Sequence, residues 1–337
     1  MNKFYKTMFF SMILVGTILA ISSMSWLSAW VGLEINLLSL MPLMKNFKNK
    51  YSTEAALKYF ITQALASMLI LLSSLTLMNN STIMTSNYDE ISSTTLSMAL
   101  LMKMGAAPLH FWLPEVTAGS SWPICLLILT WQKIAPMMLL MYSTQIEHLM
   151  MAVILLSSTI GGLYGMNQTC MRKILAYSSV NHIGWMLATL MVSLPAWLIY
   201  FLTYSMINTA LMTHLHTNKI FFINQLNSYS TFNNMNKLYF NINFLSLGGL
   251  PPLLGFLPKW ISIHTLTTTN MFYMSTILIL STLVSLFIYL RITFTSITLT
   301  TLKSTTTKME QNLILAMMLT NLSIFGLALM MSLPNMP

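Results

Sequence analysis

Long apolar segments separated by short polar connections run along almost the entire chain. An α-helix crosses a hydrocarbon core of about 30 Å with about 20 apolar residues, and segments of that length recur about eleven times here. The longest polar connection, around 217–237, is too short for a soluble domain. The pattern predicts an all-α polytopic membrane protein, with spans over residues 4–23, 26–44, 55–78, 92–112, 121–142, 149–168, 174–193, 196–216, 238–266, 270–291 and 311–332.

The charges in the connections agree with this division. If the connections alternate between the two sides, one side receives only acidic charges, at Asp89, Glu90 and Glu147. This asymmetry is what the positive-inside rule predicts. The N-terminus is therefore predicted on the positive side and, after an odd number of spans, the C-terminus on the other. The positive side receives Lys3, Lys6, Lys45, Lys48, Lys50, Lys58, Arg172, Lys173, Lys219, Lys237, Lys303 and Lys308.

Composition excludes several classes of function. Only 7% of the residues are charged, against about a quarter in soluble domains. The net charge of +9 could indicate a nucleic-acid partner, but the basic residues are scattered singly and form no continuous stripe. Cys125 and Cys170 are too few for an iron–sulfur cluster, which needs about four thiolates. No metal-ligand spacing or glycine-rich phosphate loop is present, so we predict no metal, flavin or nicotinamide in this chain.

Four ionisable residues remain deep within the predicted spans: Glu34, Lys103, Lys133 and Lys259. Each costs about 2.5–3.5 kcal/mol at the centre of a membrane helix, so these residues must pair or line a hydrated interior. One carboxylate cannot neutralise three ammonium groups, and ion pairing alone is therefore an incomplete explanation. A buried lysine can release and regain a proton, as arginine cannot. These residues are candidates for a proton-transfer path.

His182 lies inside the seventh predicted span. It could carry protons between lysines, or it could be a hydrogen-bonded histidine of the packed interior; the sequence leaves both interpretations open. Arg291 falls at the positive-side end of the tenth span. Its long side chain is predicted to reach the interface there.

Prolines and glycines lie close to three of the four residues. Pro108, Pro136 and the run 248–252 interrupt apolar spans. Such interruptions are tolerated at membrane depth where the backbone is buried in protein or lines a cavity. Residues 105–115 also repeat the spacing of residues 249–259. This short internal echo places Glu115, rather than Lys103, at the position equivalent to Lys259.

Five strings in this sequence resemble the chain 2 family of mitochondrial NADH–ubiquinone oxidoreductase: residues 32–36, 103–115, 130–136, 176–185 and 248–260. The resemblance covers essentially the whole chain, in order. It implies an antiporter-like subunit in the membrane arm of respiratory complex I, with its N-terminus on the matrix side of the inner membrane. The single transmembrane domain 1–337 would contain inverted repeats at about 1–145 and 146–295, two discontinuous helices at the fourth and ninth spans, and a final helix at about 310–333.

The same resemblance implies roles for the buried charges. Glu34 would pair with Lys103, Lys133 would bridge two half-channels, and Lys259 would lead toward a neighbouring subunit. Proton translocation would be coupled to NADH oxidation and ubiquinone reduction in other subunits, which are expected to hold the NAD, FMN, iron–sulfur clusters and ubiquinone. The implied partners are other membrane-arm subunits, including antiporter-like ones, and phospholipids such as cardiolipin. An autonomous cation/proton antiporter and a structural spacer of the arm remain as alternatives.

Overall fold

A computed structural model describes residues 2–45, 49–80, 86–143, 147–226 and 234–298. Within these ranges the chain is helical and contains no strand; one isolated bridge joins Cys170 and Phe222. The described residues form two compact units that divide between Val153 and Ile154. The repeat boundary near residue 145 stays a prediction.

The first unit contains seven helices and the start of an eighth among its described residues. α2 packs along α1 and α3, α3 also packs against α4 and α5, and α7 contacts α4 and α1. This arrangement brings the helices that carry Glu34, Lys103 and Lys133 into one bundle. The helices are α1 (Asn2–Ile21), α2 (Trp26–Met44), α3 (Lys50–Asn80), α4 (Ser86–Met104), α5 (Trp112–Gly119), α6 (Trp122–Leu129), α7 (Trp131–Tyr142) and α8 (Glu147–Met166).

The second unit is built around a helix that is polar yet buried. Most of α9 is enclosed by protein, including Ser179, Asn181 and His182. A helix surrounded by protein rather than lipid can carry polar residues, provided that they find hydrogen-bond partners. The described helices here are α9 (Met171–Val192), α10 (Leu194–Thr217), a short 3-10 helix (Ile223–Leu226), α11 (Asn234–Gly248), α12 (Phe256–Thr268) and α13 (Phe272–Thr298).

Seven helical segments of the described chain are long and apolar enough to cross a membrane. The predicted all-α membrane architecture is confirmed, but the total of about eleven spans stays a prediction. The span predicted at 311–332 lies outside the described residues. The seven segments are Phe4–Ile21, Trp26–Met44, Lys50–Leu77, Trp122–Tyr142, Glu147–Met166, Leu194–Thr217 and Phe272–Ser296.

Both expected discontinuous helices are present, and the two breaks begin with the same kind of turn. The predicted span 92–112 does not continue to its end: α4 stops at Met104, and α5 resumes at Trp112. In the same way α11 stops at Gly248 and α12 resumes at Phe256. Each break thus opens on a glycine in the left-handed region, which side-chain-bearing residues rarely adopt: φ is +77° at Gly105 and +76° at Gly249.

The hydrogen bonds of these two turns also match. The amides of Gly105 and Ala106 bond to the carbonyls of Met102 and Leu101, and those of Gly249 and Leu250 bond to Ser246 and Leu245. Both sets form the Schellman motif that ends many helices. The start of the echo in the sequence therefore corresponds to one repeated turn at the end of a helix.

The interruption that the sequence indicated at Pro136 lies earlier in the chain, and Pro136 itself is inside α7. The span predicted at 121–142 is split at Thr130, whose backbone departs from helical values at φ −117° and ψ −72°. Pro136 lacks an N–H and cannot bond to the Gln132 carbonyl one turn earlier. The Thr130 hydroxyl meanwhile bonds to the Leu126 carbonyl at 2.6 Å. Proline and hydroxyl together loosen the helix just before Lys133.

Arg291 joins two helices, and its predicted reach to the membrane interface stays a prediction. Its guanidinium Nη1 and Nη2 donate to the carbonyl oxygens of Met166 and Gln168 at 2.6 and 3.1 Å. Met166 is the last residue of α8. Because the carbonyls at a helix C-terminus lack intrahelical donors, the cation fastens α13 to the end of α8.

Candidate functional site

Glu34 and Lys103 interact electrostatically but do not form a direct ion pair. Lys103 lies in the last turn of α4 and is buried. The charge of Glu34, on α2, acts both on Lys103 and on Tyr59 of α3. One carboxylate oxygen of Glu34, Oε2, is buried and has no hydrogen-bond partner in the structure. The two charges are thus coupled, and the carboxylate retains an acceptor for a further donor.

A small cavity lies beside Lys103, with room for about one water molecule. Three side-chain amides line it: Asn36 from α2, Gln63 from α3 and Gln132 from α7. Tyr59 adds a hydroxyl, and the remaining lining residues are Leu33, Leu37 and Pro136. The cavity therefore presents one ammonium group, one hydroxyl and several amide donors and acceptors within an apolar bundle.

Two hydrogen bonds organise the amides. Gln132 Nε2 donates to Asn36 Oδ1 at 3.0 Å, joining α7 to α2. Gln63 Nε2 donates to the backbone carbonyl of Lys103 at 3.2 Å, joining α3 to the end of α4. These amides were not among the site residues predicted from the sequence. Uncharged amides recur along the chain, and only their position beside buried charges could have drawn attention to them.

Lys133 follows Gln132 directly in α7 and is 1% exposed. Its backbone N–H bonds to the Thr130 carbonyl at 3.2 Å, so the lysine lies in the first turn of α7, immediately after the interruption. Consecutive helical residues point about 100° apart. Accordingly Gln132 lines the cavity and Lys133 does not.

Lys259 lies in the second unit, and its side chain forms a hydrogen bond across the second helix break, from α12 to the end of α11. Its Nζ donates to the carbonyl oxygen of Gly248 at 2.7 Å, and the side chain is buried. Gly248 ends α11, and a cation at a helix C-terminus is favoured by both the free carbonyls and the helix dipole. The Lys259 side chain crosses directly over Gly249, where a Cβ would lie 2.8 Å from Nζ.

Across the first helix break, the corresponding hydrogen bond comes from an uncharged donor. Trp112 Nε1 bonds to the Met102 carbonyl at 3.1 Å, within the last turn of α4. Glu115, the echo partner of Lys259, turns outward to Lys58 at 2.8 Å, and Lys58 also pairs with Glu54 at 2.9 Å. All three side chains of this triad are about half exposed. Equivalent positions of the two breaks thus carry opposite charges in different surroundings.

His182 sits in an interior rich in hydroxyl groups and amides. Its Nδ1 is 2.9 Å from the Tyr200 hydroxyl, and its ring centroid lies 5.1 Å from that of Tyr204. Next to it in the chain, the buried Asn181 Oδ1 has no hydrogen-bond partner in the structure. A buried polar atom without a partner is commonly satisfied by an internal water.

The predicted site residues therefore fall into two groups. In the first unit, Lys103 lines the cavity, Glu34 acts on Lys103 electrostatically, and Lys133 directly follows the cavity residue Gln132 in α7. Lys259 and His182 belong to the second unit. Within the described ranges, no three His, Cys, Asp or Glu side chains are grouped closely enough to hold a metal ion.

Comparison with known proteins gives one consistent family. Residues 23–285 match the family model described as "NADH:quinone oxidoreductase/Mrp antiporter, TM". The chain is 46% identical to NADH-ubiquinone oxidoreductase chain 2 of Anopheles gambiae, covering 87% of this chain and 86% of the relative. It is 42% identical to the protein of the same name from Aedes aegypti, covering 97% of both chains.

The fold is shared with a solved respiratory complex. A chain in the structure of respiratory complex I from Thermus thermophilus with bound Aureothin aligns with a TM-score of 0.84 and 24% identity. The alignment covers 96% of this chain and 78% of that chain. At this level of identity the likeness concerns the fold alone.

Proposed function

This chain belongs to the NADH-ubiquinone oxidoreductase chain 2 family, and we propose that it translocates protons as a membrane-arm subunit of respiratory complex I. Translocation is coupled to NADH oxidation and ubiquinone reduction carried out in other subunits. Those subunits hold the NAD, FMN, iron–sulfur clusters and ubiquinone, and this chain holds no redox centre. Its residues supply the proton path.

The observation that carries the proposal is the arrangement around Lys103. A buried ammonium group borders a polar cavity and responds to a carboxylate that it does not touch. A charge at Glu34 stabilises the protonated lysine, and loss or displacement of that charge favours release of the proton. Because Lys103 is poorly solvated, a small change nearby alters its proton affinity strongly.

The proton path runs in the order Glu34, Lys103, Lys133 and Lys259, with His182 as a relay in the second unit. A change in the charge of Glu34 shifts the proton on Lys103, and Lys133 and Lys259 then respond in turn. Lysine suits each step because burial weakens the protonated form while a neighbouring negative charge restores it. We propose that the first repeat covers about 1–145 and the second about 146–295; the final helix predicted at about 310–333 lies outside the described residues.

We further propose the setting of this path. The chain lies in the mitochondrial inner membrane, with its N-terminus in the matrix and its C-terminus on the intermembrane-space side. Its partners are other membrane-arm subunits, including antiporter-like ones, and phospholipids such as cardiolipin. It has no nucleic-acid partner.

A second candidate function is that of a structural spacer, favoured by the contact between Lys259 and Gly248. An ammonium group that caps a helix end contributes to stability whether or not it moves a proton. In a spacer, all three lysines would serve in this way, and proton translocation would survive their replacement.

The deciding experiment compares Lys133→Ala with Lys58→Ala in the assembled complex. Lys58 is a suitable control because it is half exposed and lies outside the proposed path. We expect Lys133→Ala to lower proton pumping measured with a pH-sensitive dye, and Lys58→Ala to leave it near its original value. Normal pumping by an assembled Lys133→Ala complex would overturn the relay in favour of the spacer.

A separate measurement tests an autonomous antiporter. The purified chain is reconstituted in liposomes with an imposed sodium gradient, and internal pH is followed. We expect no exchange of sodium for protons. Exchange at a rate that depends on Lys133 would instead support independent antiport.

A further inference from the structure

We propose that Asn36 and Gln132 are positioning residues that hold one water molecule beside Lys103. The water gives the Lys103 proton a hydrogen-bonded exit toward the helix that carries Lys133. This inference rests on the proposed function and adds to it two uncharged residues and one bound water.

The hydrogen bond between these amides links two helices of the path. Asn36 is two residues beyond Glu34 on α2, and Gln132 directly precedes Lys133 on α7. Their 3.0 Å bond is therefore a short connection between the segments that carry the carboxylate and the second lysine. Asn36 is 2% exposed, so its amide must find its partners inside the protein.

The amide pair keeps hydrogen-bonding capacity to spare. An amide side chain has two N–H donors and one oxygen acceptor, and this bond uses one donor of Gln132 and one lone pair of Asn36. Both residues line a cavity that has room for about one water. A water there can accept a proton from Lys103 while it donates to the oxygen of Gln132 or Asn36.

A water molecule beside Lys103 would supply the first acceptor for its proton. Glu34 acts on the lysine without a direct ion pair, so a proton leaving Lys103 needs another first acceptor. Gln63 fixes the Lys103 backbone through its carbonyl, which limits how far the lysine can move to find one. Tyr59 completes the lining with a hydroxyl that can both donate and accept.

A purely structural role for the pair leads to a different expectation. Replacing both partners of a buried hydrogen bond by apolar groups of similar shape is close to neutral for stability. Replacing only one partner leaves the other buried without a hydrogen bond, which is destabilising. The double variant Asn36→Leu/Gln132→Met should therefore assemble normally in either case. Only the water-holding role predicts that this variant also translocates protons slowly.

The experiment compares three variants in the assembled complex. The first is Asn36→Leu/Gln132→Met. The second, Asn36→Gln/Gln132→Asn, exchanges the two amides and keeps the bond. The third, Asn241→Leu, removes a buried amide that bonds to Ser296, far along the chain from the cavity. Assembly is checked on native gels, and proton pumping is measured together with NADH:quinone turnover.

We expect the apolar pair to slow proton translocation about 10- to 100-fold, the loss associated with misplacing a reacting group by about 1 Å. The exchanged pair should recover most of the rate, and Asn241→Leu should keep it. Infrared difference spectra in H₂¹⁶O and H₂¹⁸O supply an independent readout. The isotope-shifted band of a bound water should be present in the unaltered and exchanged proteins and absent from the apolar pair.

The outcomes separate this inference from the proposed function. If the apolar pair pumps normally while Lys133→Ala does not, the relay stands and the role of Asn36 and Gln132 is wrong. If the bound-water band persists in the apolar pair, the water is held elsewhere, and the inference also fails. If the Lys133→Ala complex itself pumps normally, the proposed proton relay is wrong, and the inference that rests on it is wrong as well.

Discussion

Lys259 Nζ donates a hydrogen bond of 2.7 Å to the carbonyl oxygen of Gly248 across the turn that divides α11 from α12. One side chain therefore serves two purposes in our proposal. As a cation it caps the end of a helix, and as an acid it holds a proton of the path. The two purposes can be separated by variants of residue 259 that keep the cationic hydrogen-bond donor but cannot release a proton, or that lose both properties.

Replacing Lys259 by arginine or methionine makes that separation. Lys259→Arg keeps a cationic donor near Gly248 but cannot release a proton, so we expect an assembled complex with little proton pumping. Lys259→Met removes both properties, and we expect pumping and thermal stability to fall together. Pumping by the assembled complex and its midpoint of heat-induced dissociation are the measurements. Normal pumping by Lys259→Arg would show that residue 259 acts only as a cap.

Gly249→Ala tests the turn itself. A side chain at φ +76° is strained, and its Cβ would lie 2.8 Å from both Cδ and Nζ of Lys259. Residues forced into such backbone conformations cost about 1–3 kcal/mol, so we expect a clearly lower midpoint of heat-induced dissociation. Gly248→Ala is the matched control, because its Cβ would meet nothing closer than Tyr289 at 3.4 Å. Equal stability of the two variants would contradict this description of the break.

Tyr200→Phe tests whether His182 relays protons. The change removes only the hydroxyl that lies 2.9 Å from His182 Nδ1 and leaves the packed ring in place. We expect slower proton translocation with assembly largely retained. Tyr142→Phe, at an exposed tyrosine, is the control and should change neither quantity. Unchanged pumping in Tyr200→Phe would favour the alternative in which His182 is a packing residue.

Arg291 should contribute to stability and not to proton transfer. Arg291→Leu removes two charged hydrogen bonds to the carbonyls at the end of α8. Hydrogen bonds of this kind contribute about 1.5–3 kcal/mol each when buried, and partial exposure reduces that figure here. We expect a lower dissociation midpoint for Arg291→Leu, a smaller loss for Arg291→Lys, and the same number of protons pumped per electron in the complexes that survive. A changed proton-to-electron ratio would place Arg291 in the path.

The membrane architecture could be read from the sequence because apolar length and charge placement are direct consequences of the bilayer. The breaks at 105–111 and 249–255 were also recognisable, since glycine and proline mark them. The burial of Lys103, Lys133 and Lys259 follows from their apolar surroundings in the sequence. These features depend on local composition, which a sequence displays.

The contacts that organise the site depend on distant parts of the chain, and for that reason they were missed. The bond between Asn36 and Gln132 joins residues that come together only when α2 and α7 pack. The interruption at Thr130 leaves no strong signal, because a threonine six residues before a proline is compatible with a continuous helix. The contact from Lys259 to Gly248 requires the chain to fold back through the turn at Gly249.

The repeated turn has a consequence for the exchange of sequence between the two halves of the chain during evolution. Each loop begins with a left-handed glycine, at Gly105 and at Gly249, and a helix resumes at the same spacing, at Trp112 and at Phe256. Copying residues 105–115 over residues 249–259 would therefore keep the glycine and the length of the loop. It would also place a carboxylate against the Gly248 carbonyl, where two acceptors would repel each other. Gene conversion between the halves would therefore be selected against at this position, although the glycine turn itself would be kept.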